Sequence, residues 1–451
     1  MYARFSELDG ATVGVWGAGR EIRSFADQLA RRLPAARIAV AAFDGAPPAD
    51  VHDALGAAAR IVTGPDAVEA LGGCDVLVRS PGVSIHRPEL RALRAGGLPS
   101  RTPTGLWLGE RRGRGVIGVT GTKGKSTTAA LACHLARARG LPVHLAGNIG
   151  APALDLLDAD PDELAVVELS SYQIADLEVG PEVAVVTSLF REHLDWHGSE
   201  ELYRAEKLRL IGLPGVRAAV LNARSEPLAR AGVGAEVARV DYGLAGGWDV
   251  TDRGIELRGE LALGRADLPL PGEHNALNLC GALTALEASG VPAPPLAEAL
   301  AGFQGLPHRL DAIAERDGVL WIDDSISTTP ESALAALASY PEREIVLIGG
   351  GQDRGQDYSA LASELARREA MLVGLPSTGP RLVAAARAAG VAPARAIEAS
   401  GMESAVAIAR ELGRPGAVIL LSPAAPSYDH FRDFEDRGER FRALAELREP
   451  H

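Results

Sequence analysis

The stretch Gly118-Val119-Thr120-Gly121-Thr122-Lys123-Gly124-Lys125-Ser126-Thr127 decides how this chain is read. The apolar run Val116–Val119 before it predicts a strand, and Ser126–Gly140 after it predicts a helix. A backbone that curls around phosphate needs glycine where a Cβ would clash, a lysine against β/γ charge, and a hydroxyl for Mg²⁺. Gly121, Gly124, Lys125 and Ser126 supply these, and Thr122, Lys123 and Thr127 complete the loop. The spacing departs from a strict P-loop, because Val119 occupies the first glycine position and Gly118 lies one residue early. A Gly-x-x-Gly-Lys-Ser-Thr core between strand and helix still marks a nucleotide site, since a structural turn has no use for two lysines.

Working outward, βα alternation continues through Ala165–Leu169 and Val183–Ser188, a doubly wound parallel sheet. Upstream, Thr12–Trp16 is a predicted strand, Gly17-Ala18-Gly19 a tight turn, Arg23–Leu33 a helix and Arg37–Phe43 the returning strand. A second cycle runs through Asp75–Arg79 into Ser80-Pro81-Gly82-Val83. These cycles predict a small Rossmann-like domain with ligand loops at the strand ends. The dinucleotide fingerprint is incomplete, because Ile22 falls near the place of the third glycine. The Gly17 turn could hold a phosphate or be purely structural.

The basic, glycine-containing run Arg111–Gly115 reads as a linker, and the proline-rich Val291–Pro295 announces another boundary. Beyond it, strands are predicted at Val319–Ile322, Glu344–Ile348 and Ala417–Leu421, with helices at Pro330–Ala338, Tyr358–Arg368 and Met402–Leu412. The fold class is therefore α/β with three consecutive domains, at residues 1–110, 111–309 and 310–451. The first is Rossmann-like, the second a P-loop-type parallel sheet, and the third Rossmann-like again.

Composition narrows the function. A net charge of −13 over 451 residues, with 4% aromatics, argues against nucleic acid, which requires clustered lysine and arginine. Three dispersed cysteines, Cys74, Cys133 and Cys280, form neither a disulfide framework nor a zinc spacing, as expected of a cytoplasmic protein. No apolar leader or spanning segment is apparent, so no membrane association is expected.

Further clusters could meet phosphate or metal. Glu168-Leu169-Ser170-Ser171 ends a strand, Glu192-His193-Leu194-Asp195 follows another, and Lys207 lies in Tyr203-Arg204-Ala205-Glu206-Lys207. Each taken singly is more often a helix cap, a surface salt bridge or a solvated face, and their occurrence at successive strand ends after the loop shifts the balance. Asn275 and Asn278 share one helix face and suit a base edge or a phosphate, and Asp324 could reach a nucleotide.

Together these residues resemble the Mur ligases along nearly the whole chain. The resemblance rests on Thr-Gly-Thr-Lys-Gly-Lys-Ser-Thr (120–127), Gly-Asn-Ile-Gly (147–150), Glu-Leu-Ser-Ser-Tyr-Gln (168–173), His-Leu-Asp (193–195), Tyr-Arg-Ala-Glu-Lys (203–207), His-Asn-x-x-Asn (274–278), Pro-His-Arg (307–309) and Asp-Ser (324–325). The ending Leu-Ser-Pro-Ala-Ala-Pro-Ser-Tyr-Asp-His-Phe-Arg-Asp-Phe-Glu-Asp-Arg-Gly (421–438) is similar to the branch that adds glutamate to UDP-N-acetylmuramoyl-L-alanine. The resemblance implies an ATP-dependent ligase of peptidoglycan precursor synthesis working through an acyl phosphate. It assigns UDP to the first domain, ATP to the second and the amino acid to the third, in a chain expected to be a monomer.

By the same resemblance, Lys125 holds the β/γ-phosphates, Ser126 or Thr127 with Glu168 holds one Mg²⁺, and His193 ligates a second. Lys207 is carbamylated, giving an anion that supports Mg²⁺. Asn275, Asn278, Arg309 and Asp324 bind ATP. Asn148, Ser170 and Gln173 meet the muramoyl-alanine end, and Gly17 and Ser80 the uridine diphosphate. Thr328, Arg354, Ser427 and Phe434 are the glutamate candidates.

The departures lie mostly in the third domain. Where the D-glutamate branch carries Lys-Ala-Thr-Asn, this chain has Ile326-Ser327-Thr328-Thr329. Loss of an ammonium removes a charge-assisted bond of about 1.5–3 kcal/mol to a substrate carboxylate. With Ser188-Leu189-Phe190-Arg191-Glu192 before His193 and the Trp16–Glu21 turn, this points to the branch that adds L-glutamate, with D-glutamate as the alternative. Folylpolyglutamate synthetase shares the loop style but not the preceding domain. An ATP-gated regulatory module has no use for paired metal sites, and a dehydrogenase fails at Ile22.

Overall fold

The computed structural model describes residues 2–47, 50–56, 59–190, 194–303 and 305–446. The chain forms two compact units, one comprising Met1–Leu268 with Glu273–Phe303, the other Pro269–Gly272 with Gln304–His451.

The first unit holds two separate parallel sheets. Its N-terminal sheet contains β1 (Thr12–Trp16), β2 (Arg37–Phe43), β3 (Arg60–Thr63), β4 (Val76–Arg79) and β5 (Ser100–Arg101), in the order β3-β2-β1-β4-β5. The helix Arg20–Arg32 starts directly after the Gly17–Gly19 turn and buries Ile22, Phe25, Ala26 and Leu29 along one stripe. Ile22 is thus a core residue, which explains a bulky side chain where a dinucleotide fold needs glycine.

The second sheet contains β6 (Val116–Thr120), β7 (Val143–Gly147), β8 (Leu164–Glu168), β9 (Val183–Val186), β10 (Ala218–Asn222) and β11 (Ala238–Tyr242). All pairings are parallel, in the order β11-β10-β9-β6-β8-β7, so β6 lies between β9 and β8. Both faces are covered, which accounts for runs such as Val183–Val186, buried at every residue.

The two sheets form one unit because a single apolar cluster joins Phe5, Val15, Phe25 and Trp107 to Ala146, Leu154, Val167 and Leu177. Within the run Arg111–Gly115, expected as a linker, Arg111 and Gly113 are buried and Arg112 and Arg114 are exposed. Arg111 is buried and donates to the carbonyls of Pro161 and Glu163 at 2.6 and 2.7 Å. Arg79 is buried completely and holds Asp176 through Nε and Nη2 at 2.9 and 2.7 Å. It also donates to the Tyr172 carbonyl at 2.7 Å.

A small antiparallel sheet was not anticipated: β12 (Trp248–Thr251), β13 (Gly254–Leu257) and β14 (Glu260–Gly264). Its second turn, Arg258-Gly259, has φ of 52° and 86°, the two-residue loop with positive φ at both positions that favours tight hairpins.

The second unit contains β15 (Asp311–Arg316), β16 (Val319–Asp323), β17 (Ile345–Gly349), β18 (Met371–Gly374), β19 (Ala396–Glu398) and β20 (Val418–Leu421). Their order is β15-β16-β20-β17-β18-β19, with only β15 antiparallel to its neighbour. The helices Pro330–Ala338 and Met402–Leu412 have the expected bounds. A C-terminal helix, Phe434–Glu446, buries Phe441 and Ala445.

Candidate functional site

β6 delivers the glycine-rich loop and the helix Lys125–Ala138 departs from it, so the helix N-terminus faces the loop. Gly121 and Gly124 have φ of 145° and 86°. A Cβ at Gly124 would collide with Asn278 Oδ1, and one at Gly121 with Thr187 Oγ1. The loop is drawn toward Ser188, whose carbonyl accepts from Thr122 N at 2.8 Å and whose hydroxyl accepts from Lys123 N at 2.9 Å. Lys125 Nζ folds back onto the Thr122 carbonyl at 2.9 Å. Ser126 and Thr127 are buried in the first helical turn. Asn278 adjoins this loop from the helix Glu273–Ala288, and its Nδ2 donates to Asn275 Oδ1 at 3.3 Å.

Glu168 ends β8 beside β6, paired with Val119. It is only 1% exposed. Its Oε1 accepts from Asn148 Nδ2 at 3.0 Å, whereas Oε2 is buried with no hydrogen-bond partner among the described residues. An unmatched buried carboxylate oxygen costs about 1–3 kcal/mol. A hard divalent cation such as Mg²⁺ takes carboxylate and hydroxyl oxygens. The orphaned oxygen beside a phosphate-type loop therefore fits Mg²⁺, with Glu168 and Ser126 as the residues to hold it. His193 lies outside the described residues.

Lys207 lies on the helix Glu200–Arg209, only 2% exposed, its Nζ 5.0 Å from the centre of the Tyr203 ring. Tyr203 in turn donates its hydroxyl to Thr122 Oγ1 at 2.8 Å, tying the Lys207 helix to the loop. Thr122 thus uses its hydroxyl within the protein. The preceding residue, Glu206, meets His86 Nε2 at 2.6 Å and pairs with His197 Nδ1. His197 Nε2 lies 2.9 Å from Ser171 Oγ.

Of the remaining candidates in this unit, Asn148 and Ser170 follow β7 and β8 of the second sheet, and Gly17 and Ser80 follow β1 and β4 of the N-terminal sheet. Asn148 belongs to a loop tied down by its own N–H to the Glu168 carbonyl at 3.0 Å. Ser170 caps the short helix Ser171–Ile174, and Gln173 completes the capping box, with Oε1 accepting from Ser170 N at 2.7 Å and Ser170 Oγ at 2.8 Å. Gln173 Nε2 donates to Glu21 Oε1 at 2.7 Å and to Thr104 Oγ1 at 3.2 Å. Gln173 therefore serves as an internal brace. Gly17 and Ser80 adjoin each other, a Cβ built on Gly17 falling 2.9 Å from Ser80 Cβ.

The remaining candidates lie in the second unit. Asp324 is buried, accepting from Leu310 N at 3.2 Å and Ser422 Oγ at 2.8 Å. Burial pushes its carboxyl up to about 6, against the smaller opposing pull of nearby groups including Arg309. The Phe434 carbonyl accepts from Ser325 Oγ at 2.8 Å, and its ring centre is 6.1 Å from that of His308. Ser427 is buried, Thr328 partly buried, and Arg354 exposed over Tyr428 at 6.0 Å. A cavity of about 370 Å³ in this unit is lined by Gly350, Ser400, His430 and Arg440 among others, and by none of Thr328, Arg354, Ser427 or Phe434.

Sequence reasoning missed Arg437, completely buried, which donates to Ser325 O at 2.7 Å, Ser325 Oγ at 3.0 Å and Ala425 O at 3.0 Å. Desolvation lowers its guanidinium to about 10. Its only signal was its place in the Asp-Arg-Gly ending. Arg20, Glu21, Thr104 and Tyr203 were missed as contacts of the site.

Comparison with known proteins places this geometry. The model of the Mur ligase middle domain matches residues 119–286, and that of the Mur ligase glutamate ligase domain residues 308–425. A protein of a Micromonospora strain named UDP-N-acetylmuramoyl-L-alanine--L-glutamate ligase is 44% identical over 97% of both chains. The chain belongs to the Mur ligase family. A similarly named protein of Xanthomonas euvesicatoria is 42% identical to this Mur ligase over 98% of this chain and 96% of its own. The crystal structure of UDP-N-acetylmuramate-alanine ligase from Thermotoga maritima shares the fold, with a TM-score of 0.60 at 18% identity, covering 96% of this chain and 98% of that one. This Mur ligase is an ATP-dependent, amide-bond-forming enzyme, and no helix among its described residues is long and apolar enough to cross a membrane.

Proposed function

We propose that this Mur ligase joins L-glutamate to the alanyl carboxylate of UDP-N-acetylmuramoyl-L-alanine. A carboxylate oxygen of the alanyl end attacks the γ-phosphorus of ATP, the bond to the bridging oxygen breaks, and ADP leaves. The glutamate amine then attacks the acyl-phosphate carbon, phosphate departs, and the nitrogen loses a proton. Phosphorylation is needed because an oxide is a poor leaving group and phosphate a good one.

The observation that carries the reading is the orphaned Oε2 of Glu168 beside the phosphate-type loop. When bound there, Mg²⁺ offsets the charge that gathers on the transferring phosphoryl group. Lys125 neutralises the β/γ-phosphates, and the helix N-terminus behind it adds oriented N–H groups. Asn275 and Asn278 bind the nucleotide; by the family resemblance Arg309 and Asp324 are further nucleotide-binding candidates, and His193 would ligate a second cation. Lys207 acts as its carbamate: the amine adds to CO₂, a nitrogen–carbon bond forms and a proton is released, giving an anion beside Tyr203. Asn148 and Ser170 meet the muramoyl-alanine end, with Gln173 bracing them, and Gly17 and Ser80 the uridine diphosphate. Thr328, Arg354, Ser427 and Phe434 receive glutamate.

L-Glutamate is favoured over its enantiomer by Ile326, which offers no cation where a carboxylate partner would stand. The names of the relatives point the same way. The test is phosphate release from ATP and UDP-N-acetylmuramoyl-L-alanine with each glutamate enantiomer supplied separately. Release with L-glutamate is expected. Release with D-glutamate alone overturns the stereochemical assignment, and release with neither overturns the ligation.

A further inference from the structure

The Trp16-Gly17-Ala18-Gly19-Arg20-Glu21 turn is conspicuous in sequence, yet nucleotide chemistry leaves its two charged side chains without a task. The structure supplies one. Arg20 Nη1 donates to the Gly150 carbonyl at 2.9 Å, and Nη2 donates to the carbonyls of Gly147 and Asn148 at 2.8 and 3.1 Å. The adjacent Glu21 accepts from Gln173 Nε2 at 2.7 Å and from Thr104 Oγ1 at 2.8 Å. Two consecutive residues of the N-terminal sheet's first turn therefore reach two separate loops of the central sheet.

Those loops flank Glu168. The 147–150 loop bears Asn148, whose side-chain amide holds Glu168 Oε1 and whose backbone N–H holds the Glu168 carbonyl. The 170–173 segment begins two residues after Glu168, and Gln173, fixed by Glu21, clamps Ser170 through both N–H and hydroxyl. A guanidinium is suited to this task because its planar fork presents several donors in fixed directions, which an ammonium cannot do. Gly147 and Gly150 have φ of 99° and 70°, and a Cβ at either would collide with a backbone carbonyl, so the loop is narrow enough for one side chain to span it.

We infer that Arg20 and Glu21 are positioning residues that brace the acceptor-substrate loops from both sides and so aim the Glu168 carboxylate. The inference rests on the ligase reading for its kinetic consequence, and on the geometry alone for its structural one. The diphosphate is left to the backbone of the Gly17 turn, since the Arg20 side chain is engaged on carbonyls.

The test compares Arg20→Ala, Arg20→Lys and Glu21→Gln with Asp27→Ala, a control at an exposed position of the same helix. Hydrogen exchange is followed in segments 145–151 and 169–176, together with ATP affinity and the kinetics of ligation. Arg20→Ala is expected to accelerate exchange in the first segment and Glu21→Gln in the second. Each is expected to lower kcat/KM for the UDP substrate at least tenfold while ATP affinity stays within twofold, and Arg20→Lys is expected to rescue little. The control leaves all three unchanged. Exchange unaltered in both segments overturns the brace, as does a loss of ATP affinity matching the loss of kcat/KM. A parent enzyme that makes no product overturns the ligase reading instead, and the exchange data then decide the brace alone. Should Arg20→Ala fail to fold, Arg20→Lys and Glu21→Gln carry the same comparison.

Discussion

Asn148 Nδ2 donates to Glu168 Oε1 at 3.0 Å and leaves Oε2 of the same carboxylate unmatched. One oxygen is thus used to aim the group and the other is held in reserve for a cation. Asn148→Ala leaves both oxygens without a donor, at a cost of about 1–3 kcal/mol, so kcat is expected to fall about 10–100-fold. Glu168→Gln is expected to lose more, because an amide cannot replace an anionic ligand. Steady-state phosphate release over a Mg²⁺ titration measures both, and wild-type Mg²⁺ dependence in Glu168→Gln contradicts the assignment.

Lys207→Arg tests the carbamate. Arginine keeps its charge at a pKa above about 12 and does not offer a neutral amine to CO₂. Activity is expected to drop at least about 100-fold, the scale of a lost electrostatic contact in a catalytic site. A carbamyl signal from isotopically labelled bicarbonate should appear by NMR in the parent and be missing from the variant. An equally active Lys207→Arg enzyme rules the carbamate out.

Gly438 lies inside the C-terminal helix against the buried His308–Asp323 pair, whose Nδ1 and Oδ2 are 2.7 Å apart. A Cβ there would collide with His308 Nδ1 and come within 2.7 Å of Asp323 Oδ2. Alanine gains about 1 kcal/mol of helix propensity, but overpacking costs about 1–3 kcal/mol and parting the pair adds to it. Gly438→Ala is expected to lower the urea midpoint of the C-terminal unit. An unchanged or higher midpoint counts against the close packing.

Asp324 gives stability a pH dependence. Burial raises its carboxyl from 3.8 to about 6, so the folded state binds this proton more tightly than the unfolded chain. The contribution is full below the ordinary carboxylate value and is lost as pH rises through about 6. Asp324→Asn cannot titrate, so the difference in Tm between parent and variant is expected to move in the variant's favour from pH 4 to pH 6.5. A difference constant over that range removes Asp324 as its source.

The fold was legible wherever an element is buried on one definite face or on both. Val116–Thr120 and the helices Pro330–Ala338 and Met402–Leu412 declare themselves through apolar runs and caps. The hairpins at 248–264 escaped because the chain there alternates weakly and its turn is built on Arg258, a residue that rarely adopts positive φ. Residues that meet phosphate are local in sequence and were readable from the Gly121–Thr127 run. Arg20, Glu21, Thr104 and Tyr203 were not, because each meets its partner across long sequence separations, as Glu21 does Gln173. Composition marks the run around Arg111 as a linker but says nothing of the carbonyls of Pro161 and Glu163 that accept from its guanidinium, about fifty residues away.

That arginine changes what the basic run can serve as. Arg111, Arg112 and Arg114 offer trypsin three cleavage points between the N-terminal and central sheets, in a stretch whose composition resembles an exposed joint. A protease must draw several residues of extended backbone into its cleft, and here Gly113 N and Arg114 N are bound to the carbonyls of Leu108 and Arg111. A Cβ on Gly113 would strike the Gly180 carbonyl. Brief trypsin treatment of the native protein is therefore expected to spare this junction, so the first hundred residues should not be released as a separate fragment.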